Sequence, residues 1–168
     1  KLIKSCPKKL LKIKVFGLSS DTRTIKKGDL FFALKGTQYN GEKYIKAALK
    51  KGACAIISSK KAADNHKIIK VKSVKECLEK VCTKFYPKKP KNIIAVTGTN
   101  GKSSVADFFH QILTFNKLSV ATIGTLGVKI KNFKQSNLTS LDIISLHKEL
   151  QNLKEKNIEN ILLEASSH

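Results

Sequence analysis

The chain has 168 residues, of which 41% are hydrophobic, and its 33 basic and 12 acidic residues give a formal net charge of +21. This length allows one domain or two small ones, and this apolar content excludes a wholly disordered chain. No apolar run approaches the ~20 residues of a membrane-spanning helix. Lysines interrupt residues 1–15, which excludes the apolar core of a signal peptide. We therefore expect a cytoplasmic protein without a membrane partner.

The basic charge is almost entirely lysine and lies in the first half of the chain. Arg23 is the single arginine, Trp is absent, and residues 1–92 carry a net +19 against +2 for residues 93–168. Nucleic-acid readers depend on arginine forks and on aromatic side chains that stack on bases. We therefore expect no nucleic-acid partner and attribute most of the charge to solvated faces, with a basic nucleic-acid-binding module as the alternative.

Two strands and a helix are predicted in the first half. The apolar residues 30–34 follow a Gly-Asp turn and predict a buried strand, and residues 54–57 predict a second. Between them, residues 42–51 have the apolar spacing of a helix, and Gly52 occupies the position that follows a helix end.

A second helix and a linker follow. Ser73 and Glu76 match a capping box, and behind them an apolar stripe contains Cys77 and Cys82. We interpret these cysteines as small core residues rather than reactive thiols. Residues 87–92 contain two prolines and three lysines but no apolar side chain, which is typical of a linker.

After the linker, strands alternate with helices. The predicted elements are a strand at 93–97, a helix with Val105, Phe108, Phe109, Ile112 and Leu113 on one face, a strand at 118–123, a hairpin or loop at 124–132, a helix through residue 156 and a strand at 160–165. Thr139 or Ser140 is expected to cap the second helix. This alternation predicts a parallel sheet with crossover helices.

The strongest functional signal is a glycine-rich turn between the predicted strand 93–97 and the next helix. Its residues are Gly98, Thr99, Asn100, Gly101, Lys102, Ser103 and Ser104. Backbone N–H groups of such a turn and the helix N-terminus bind phosphate, Lys102 can act catalytically on the terminal phosphates, and Ser103 can ligate Mg²⁺. The spacing is shorter than in the usual P-loop, because Val96 stands where the first glycine is expected.

An acidic residue follows the last predicted strand. Glu164 comes directly after three apolar residues, 161–163. Ligands of open α/β sheets bind at the carboxyl ends of the strands, so Glu164 is a second candidate for the metal. A strand-end glutamate that faces solvent is the alternative.

The predicted fold class is α/β. A small mixed α/β amino-terminal domain, residues 1–90, precedes a parallel-sheet P-loop domain, residues 91–168, with three α/β/α layers. The chain begins with Lys1, contains no Met and stops at His168 directly after the last strand. We therefore expect this second domain to be truncated.

Three motifs, in order, resemble the Mur ligase family. They are TGTNGKSS at 97–104, LTSLDIISLH at 138–147 and LEASSH at 163–168. Asp21-Thr22-Arg23 and GDLFFALKGTQYNG at 28–41 resemble the signature of the amino-terminal domain of that family. The resemblance covers residues 15–168, with departures at 138–141, where Leu-Thr-Ser-Leu stands in place of the frequent Asn-Thr-Thr-Pro, and at Thr22, which replaces the usual serine.

The resemblance implies an activity in peptidoglycan precursor synthesis. Such ligases use ATP and Mg²⁺ to convert a carboxylate to an acyl phosphate that an amino group then attacks. The motifs favour members that add a third residue, a diamino acid, to UDP-N-acetylmuramoyl-L-alanyl-D-glutamate. The member that adds D-alanyl-D-alanine to the UDP-muramoyl-tripeptide is the alternative. We expect a monomer. We also expect the fragment alone to be inactive, because the carbamylated lysine and amino-acid pocket of the family lie beyond residue 168.

The resemblance also implies roles for individual residues. Ser103 and Glu164 would bind Mg²⁺, as the residues themselves suggest. The UDP end of the substrate would contact Thr22, Thr37, Gln38 and Tyr39, and the muramoyl-peptide part would contact Asn100, Thr139, Ser140 and Ser166. His147, beside the apolar face of its helix, is interpreted as structural.

Overall fold

The protein is described by a computed structural model for residues 13–36, 40–60, 67–124, 127–130, 133–135 and 142–165. The chain divides into two compact units, Lys1–Phe85 and Tyr86–His168. Within the described ranges, every helix is too short or too polar to cross a membrane.

The first unit contains a four-stranded parallel sheet. Its strands are β1 (Gly17–Ser19), β2 (Asp29–Phe32), β3 (Ala55–Ser58) and β4 (Ile68–Lys70), in the order β1-β2-β3-β4. Strands β2 and β3 are buried along their whole length. They confirm the two strands predicted in this half. Strands β1 and β4 were not predicted, because three residues are too few to establish an alternating pattern.

Two helices accompany this sheet. The segment predicted as one helix begins as a 3-10 turn, Gly41–Tyr44, and continues as α1 (Ile45–Lys50). The side chain of Asn40 accepts the N–H of Glu42 at 3.0 Å and fixes the start of that turn. The core forms where Phe31 and Ile56 pack against Ala48 of α1.

Helix α2 (Val74–Phe85) begins where the capping box predicts. The Ser73 hydroxyl accepts the N–H of Glu76 at 3.2 Å. Cys82 is buried and Cys77 is half-buried, and burial raises the pKa of the Cys77 thiol. A raised pKa leaves the thiol protonated and unreactive.

The second unit contains a five-stranded mixed sheet. Its strands are β5 (Asn92–Val96), β6 (Val120–Gly124), β7 (Gly127–Ile130), β8 (Phe133–Gln135) and β9 (Asn160–Glu164), in the order β5-β9-β6-β7-β8. Strands β5, β9 and β6 are parallel, which confirms the predicted crossover arrangement. Strands β6, β7 and β8 are antiparallel neighbours, so the hairpin predicted after residue 124 is also confirmed.

Two helices cover opposite faces of this sheet. Helix α4 (Ile143–Glu155) packs through Leu153 into a cluster with Ala121 of β6. Helix α3 (Lys102–Phe115) reaches the other face, where the His110 Nδ1 atom lies 3.2 Å from the Thr122 hydroxyl. Neighbouring residues of a strand point to opposite faces, so the unit has three α/β/α layers.

The cap predicted for α4 is wrong. Asp142 occupies the capping position, and its carboxylate accepts the N–H groups of Ile144 at 2.8 Å and Ser145 at 3.0 Å. The hydroxyls of Thr139 and Ser140 match a cap equally well in the sequence, which does not distinguish them from Asp142. Thr139 and Ser140 lie outside the described residues.

The apolar face of α3 is largely exposed. Exposed fractions are 64% for Phe108, 60% for Ile112 and 88% for Phe115, whereas Ala106 and His110 are buried. Ile93 and Ile94 of β5 are each 41% exposed, although they point to opposite faces of the sheet. Apolar spacing on α3 predicts the helix correctly, but it does not identify the face that packs on the sheet.

Candidate active site

The candidate site lies where two parallel strands end side by side. Val96, at the end of β5, pairs with Glu164, at the end of β9. The N–H of Ala165 donates to the Val96 carbonyl at 2.9 Å, so the pairing continues past Glu164. The loop that leaves β5 therefore starts directly beside the Glu164 side chain.

Two glycines give this loop its shape. Gly98 and Gly101 have φ angles of +146° and +79°, which residues with a side chain rarely adopt. Gly101 is the residue before α3, and its carbonyl accepts the N–H of Val105 at 3.0 Å as the first bond of the helix. The N–H groups of the first turn have no partner within the helix, and with the helix dipole they attract anions.

Lys102 folds back over the loop. It is half-buried, and its ammonium group donates to the carbonyl of Gly98 and, at 3.5 Å, to that of Thr99. A positive charge is thus held at the loop, next to the N-terminus of α3. Thr99, Asn100 and Ser104 are exposed.

Ser103 and Glu164 meet although 61 positions separate them in the sequence. The Ser103 hydroxyl donates to Glu164 Oε2 at 3.1 Å. In an octahedral Mg²⁺ site with bonds of ~2.0–2.1 Å, adjacent oxygen ligands lie about 3 Å apart. The separation of the two oxygens is therefore compatible with that of two ligands of one Mg²⁺ ion.

No cluster of three or more His, Cys, Asp or Glu side chains that could hold a metal occurs among the described residues. This is compatible with Mg²⁺, which usually takes one or two carboxylates and completes its shell with water and substrate phosphates. A closed structural metal centre would need more protein ligands.

A cavity of about 270 Å³ adjoins the pair. Its lining includes Ser103, Asp107, Lys129 and Glu164. Lys129 forms an ion pair with Asp107, and this hydrogen bond, with a second from Gln111, holds the pKa of Asp107 below its usual value. Sequence reasoning missed both charges. Asp107 could have been identified from the sequence, because it lies one helical turn after Ser103. Lys129 could not, because only the folding of the β6–β7 hairpin brings it next to α3.

The residues expected to contact the substrate are described in part. Thr22 lies in the turn that follows β1, where its carbonyl accepts the Lys51 ammonium at 2.7 Å. The neighbouring Asp21 carboxylate binds the Arg23 guanidinium. The other expected contacts, apart from Asn100, lie outside the described residues: Thr37, Gln38, Tyr39, Thr139, Ser140 and Ser166.

The first unit has a cavity of its own, of about 430 Å³, with Asn40, Lys43 and Lys60 in its lining. Glu42 also lines this cavity, and its carboxylate accepts a hydrogen bond from the Ser59 hydroxyl at 2.6 Å. Together with Lys60, that bond holds the pKa of Glu42 below its usual value. The cavity therefore carries two lysines but also one stably ionised carboxylate.

His147 does not belong to the part of the sheet that carries the glycine-rich loop. It is half-buried on α4, which packs on the face of the sheet opposite α3. Burial, and to a smaller extent the charge of Lys89, lowers the pKa of its imidazole. A half-buried imidazole with a lowered pKa on this face is compatible with the structural role predicted for His147.

Both units of the chain match known protein families. The sequence profile described as the Mur ligase family, catalytic domain, matches residues 14–86, and that of the Mur ligase middle domain matches residues 96–168. The chain belongs to the Mur ligase family. Its relatives include the UDP-N-acetylmuramoyl-L-alanyl-D-glutamate--2,6-diaminopimelate ligases of Rickettsia montanensis, 46% identical over 161 residues, and Rhizobium meliloti (strain 1021), 37% identical over 159 residues.

These alignments cover 92% and 93% of the chain but 34% and 33% of the two relatives. Solved Mur ligases also resemble it in fold. A structure of a UDP-N-acetylmuramoyl-L-alanyl-D-glutamate--2,6-diaminopimelate ligase is 31% identical with a TM-score of 0.75, covering 92% of this chain and 32% of that one. The MurF ligase of Thermotoga maritima in complex with ADP is 25% identical with a TM-score of 0.60, covering 90% and 32%. The chain thus spans about a third of the length of its relatives.

Proposed function

We propose that this Mur ligase chain is part of an ATP-dependent enzyme that adds 2,6-diaminopimelate to UDP-N-acetylmuramoyl-L-alanyl-D-glutamate. The observation that carries the nucleotide chemistry is the contact between Ser103 and Glu164 beside Lys102, at the start of α3. The substrate is taken from the names of the relatives with the higher sequence identity. The D-alanyl-D-alanine ligase alternative is less favoured, because the MurF structure is the more distant neighbour in sequence and in fold.

The loop is assigned to the phosphates of ATP. Gly98, Thr99, Asn100, Gly101, Ser103 and Ser104 bring backbone N–H groups and hydroxyls to the phosphate oxygens. Lys102 exchanges its bonds with the loop carbonyls for bonds with the terminal phosphates. Its charge then stabilises the negative charge that develops as the phosphoryl group moves to the substrate carboxylate.

Ser103 and Glu164 are assigned to Mg²⁺. Bound Mg²⁺ neutralises charge on the transferring phosphoryl group and orients it. The 3.1 Å spacing of the two oxygens fits this ion, and the pairing of Glu164 with Val96 places the backbone of Glu164 beside the start of the loop.

The substrate contacts are proposals of the same kind. Thr22, Thr37, Gln38 and Tyr39 are assigned to the UDP end, and Asn100, Thr139, Ser140 and Ser166 to the muramoyl-peptide part. These uncharged groups both donate and accept hydrogen bonds, which suits uridine and amide groups. We place the reaction in the cytoplasm, where ATP is available, and propose a monomer.

Nucleotide binding tests the assignment of the loop. The chain has no Trp, so a fluorescent N-methylanthraniloyl ATP can be titrated against a low background. We expect Mg²⁺-dependent binding that Lys102→Ala weakens by at least tenfold. The matched control, Lys148→Ala, removes the same charge from the exposed surface of α4 and leaves binding unchanged. Equal losses in the two variants, or retention of DNA at 0.15 M salt, would favour the basic nucleic-acid-binding module instead.

Ligation itself is tested separately. We propose that the 168-residue chain alone does not catalyse ligation, because the amino-acid pocket implied by the family resemblance lies outside it. Phosphate release is measured with ATP, UDP-N-acetylmuramoyl-L-alanyl-D-glutamate and 2,6-diaminopimelate. Release that requires all three compounds would contradict this proposal and assign the complete reaction to the chain.

A further inference from the structure

Gly124, at the end of β6, lies directly against the carboxylate of Glu164. Strands β6 and β9 are parallel neighbours, with Ile123 opposite Leu163, so Gly124 and Glu164 are the next residues of the two strands. A Cβ atom on Gly124 would lie 2.7 Å from Glu164 Cδ, 2.9 Å from Oε1 and 3.0 Å from Oε2. Non-bonded carbon contacts are optimal at about 3.5–4.0 Å, so a side chain and this carboxylate cannot occupy the same place.

The backbone does not explain why position 124 is a glycine. The φ angle of Gly124 is not in the left-handed region, unlike those of Gly98, Gly101 and Gly127. An alanine could therefore adopt the same backbone conformation. What glycine provides at position 124 is space, and the atoms that use this space are the three atoms of the Glu164 carboxyl group.

We infer that Gly124 is a positioning residue for the metal site. Its missing side chain lets the Glu164 carboxylate lie across the end of β6 and point to the Ser103 hydroxyl on α3. This inference rests on the proposed assignment of Ser103 and Glu164 to Mg²⁺. Gly124 touches neither metal nor nucleotide in this role and acts through the place it gives to Glu164.

The contact predicts which property Gly124→Ala changes. The atoms that a methyl group would meet are the far end of a flexible, half-exposed side chain rather than backbone. The carboxylate can therefore move by rotation about the Glu164 side-chain bonds, and the strand stays in place. The alanine variant is expected to fold and to lose the spacing between Glu164 and Ser103.

A double-mutant cycle tests the inference. Gly124→Ala, Glu164→Ala and the double variant are titrated with the fluorescent ATP at increasing Mg²⁺ or Mn²⁺. We expect Gly124→Ala to weaken the metal-dependent component at least tenfold and to leave metal-free binding unchanged. In the Glu164→Ala background it has no further effect, because the carboxylate that it displaces is absent. Wild-type metal affinity in Gly124→Ala, or an equal loss in both backgrounds, would overturn the inference.

Thermal unfolding separates this inference from the proposed function. Gly124→Ala is expected to lower the Tm measurably, but by less than about 4 °C, when Glu164 is present, and not to lower it in the Glu164→Ala background. If the wild-type chain binds ATP without any metal dependence, the metal assignment fails. The close contact of Gly124 with Glu164 is then judged from the two Tm shifts alone, and equal shifts would overturn it.

Discussion

Glu164→Gln separates the charge of the strand-end carboxylate from its shape. The glutamine amide has the same size, and its oxygen can still accept the Ser103 hydroxyl that now lies 3.1 Å from Glu164 Oε2. The hydrogen bond is therefore kept, and we expect the stability to change by less than about 0.5 kcal/mol. The negative ligand is lost. Changes to groups that only support metal ligands cost 10–100-fold in metal affinity, about 1.4–2.7 kcal/mol, so loss of this ligand should cost at least as much.

The assay is the Mg²⁺ concentration that gives half-maximal binding of the fluorescent ATP. The matched control is Glu159→Gln, which removes the same charge about 16 Å away, at the residue that precedes β9. Glu159 binds the Lys154 ammonium and the N–H of Lys91 at 3.0 Å, so it is engaged but remote from the loop. We expect a shift of at least tenfold for Glu164→Gln and none for Glu159→Gln. Equal shifts would show that net charge, rather than a ligand, sets the metal dependence.

Two further variants test parts of the fold. Asp142→Ala removes the acceptor of two N–H groups at the start of α4 and should lower the free energy of unfolding by about 1 kcal/mol in urea titrations. Asp142→Asn keeps an acceptor oxygen at this position and should retain most of that stability. Hydrogen bonds from Arg23 lower the pKa of Asp21 in the folded state. The stability from this pair is therefore present above about pH 4 and lost as the pH falls through the folded pKa. Because Arg23 is 88% exposed at its side chain, we expect a few tenths of a kcal/mol, and unfolding between pH 2 and 6 should depend less on pH in Arg23→Gln. An unchanged free energy in Asp142→Ala, or an unchanged pH dependence in Arg23→Gln, would refute the corresponding contact.

The sequence was sufficient for the features that are local in the chain. The strand, turn and helix around Lys102 follow from residues that are neighbours in sequence, and the structure places them as predicted. The meeting of Ser103 with Glu164 could be anticipated because parallel strands bring their carboxyl ends to one edge of a sheet. Assignment of these residues to nucleotide and metal stays a prediction.

Other features depend on the register and packing of elements that are distant in sequence. The contact between Gly124 and Glu164 requires that β6 and β9 be neighbours with Ile123 opposite Leu163, which no local pattern encodes. Likewise, the spacing of Phe108 and Ile112 is that of a buried stripe, yet α3 turns Ala106 and His110 to the sheet. The small Ala106 and the polar His110 do not stand out in an apolar pattern, although both are buried against the sheet.

The folded-back Lys102 has a thermodynamic consequence. A free lysine side chain has about 1.5–2 kcal/mol of conformational entropy at room temperature, most of which is lost when the ammonium group is fixed. In this loop the carbonyls of Gly98 and Thr99 already hold that group at the place where phosphates are expected. Ordering of the side chain then belongs to folding rather than to binding, and a pre-organised cation exchanges neutral oxygen partners for charged ones. Nucleotide capture by such a loop should therefore be driven by a favourable enthalpy with little entropic opposition from the lysine.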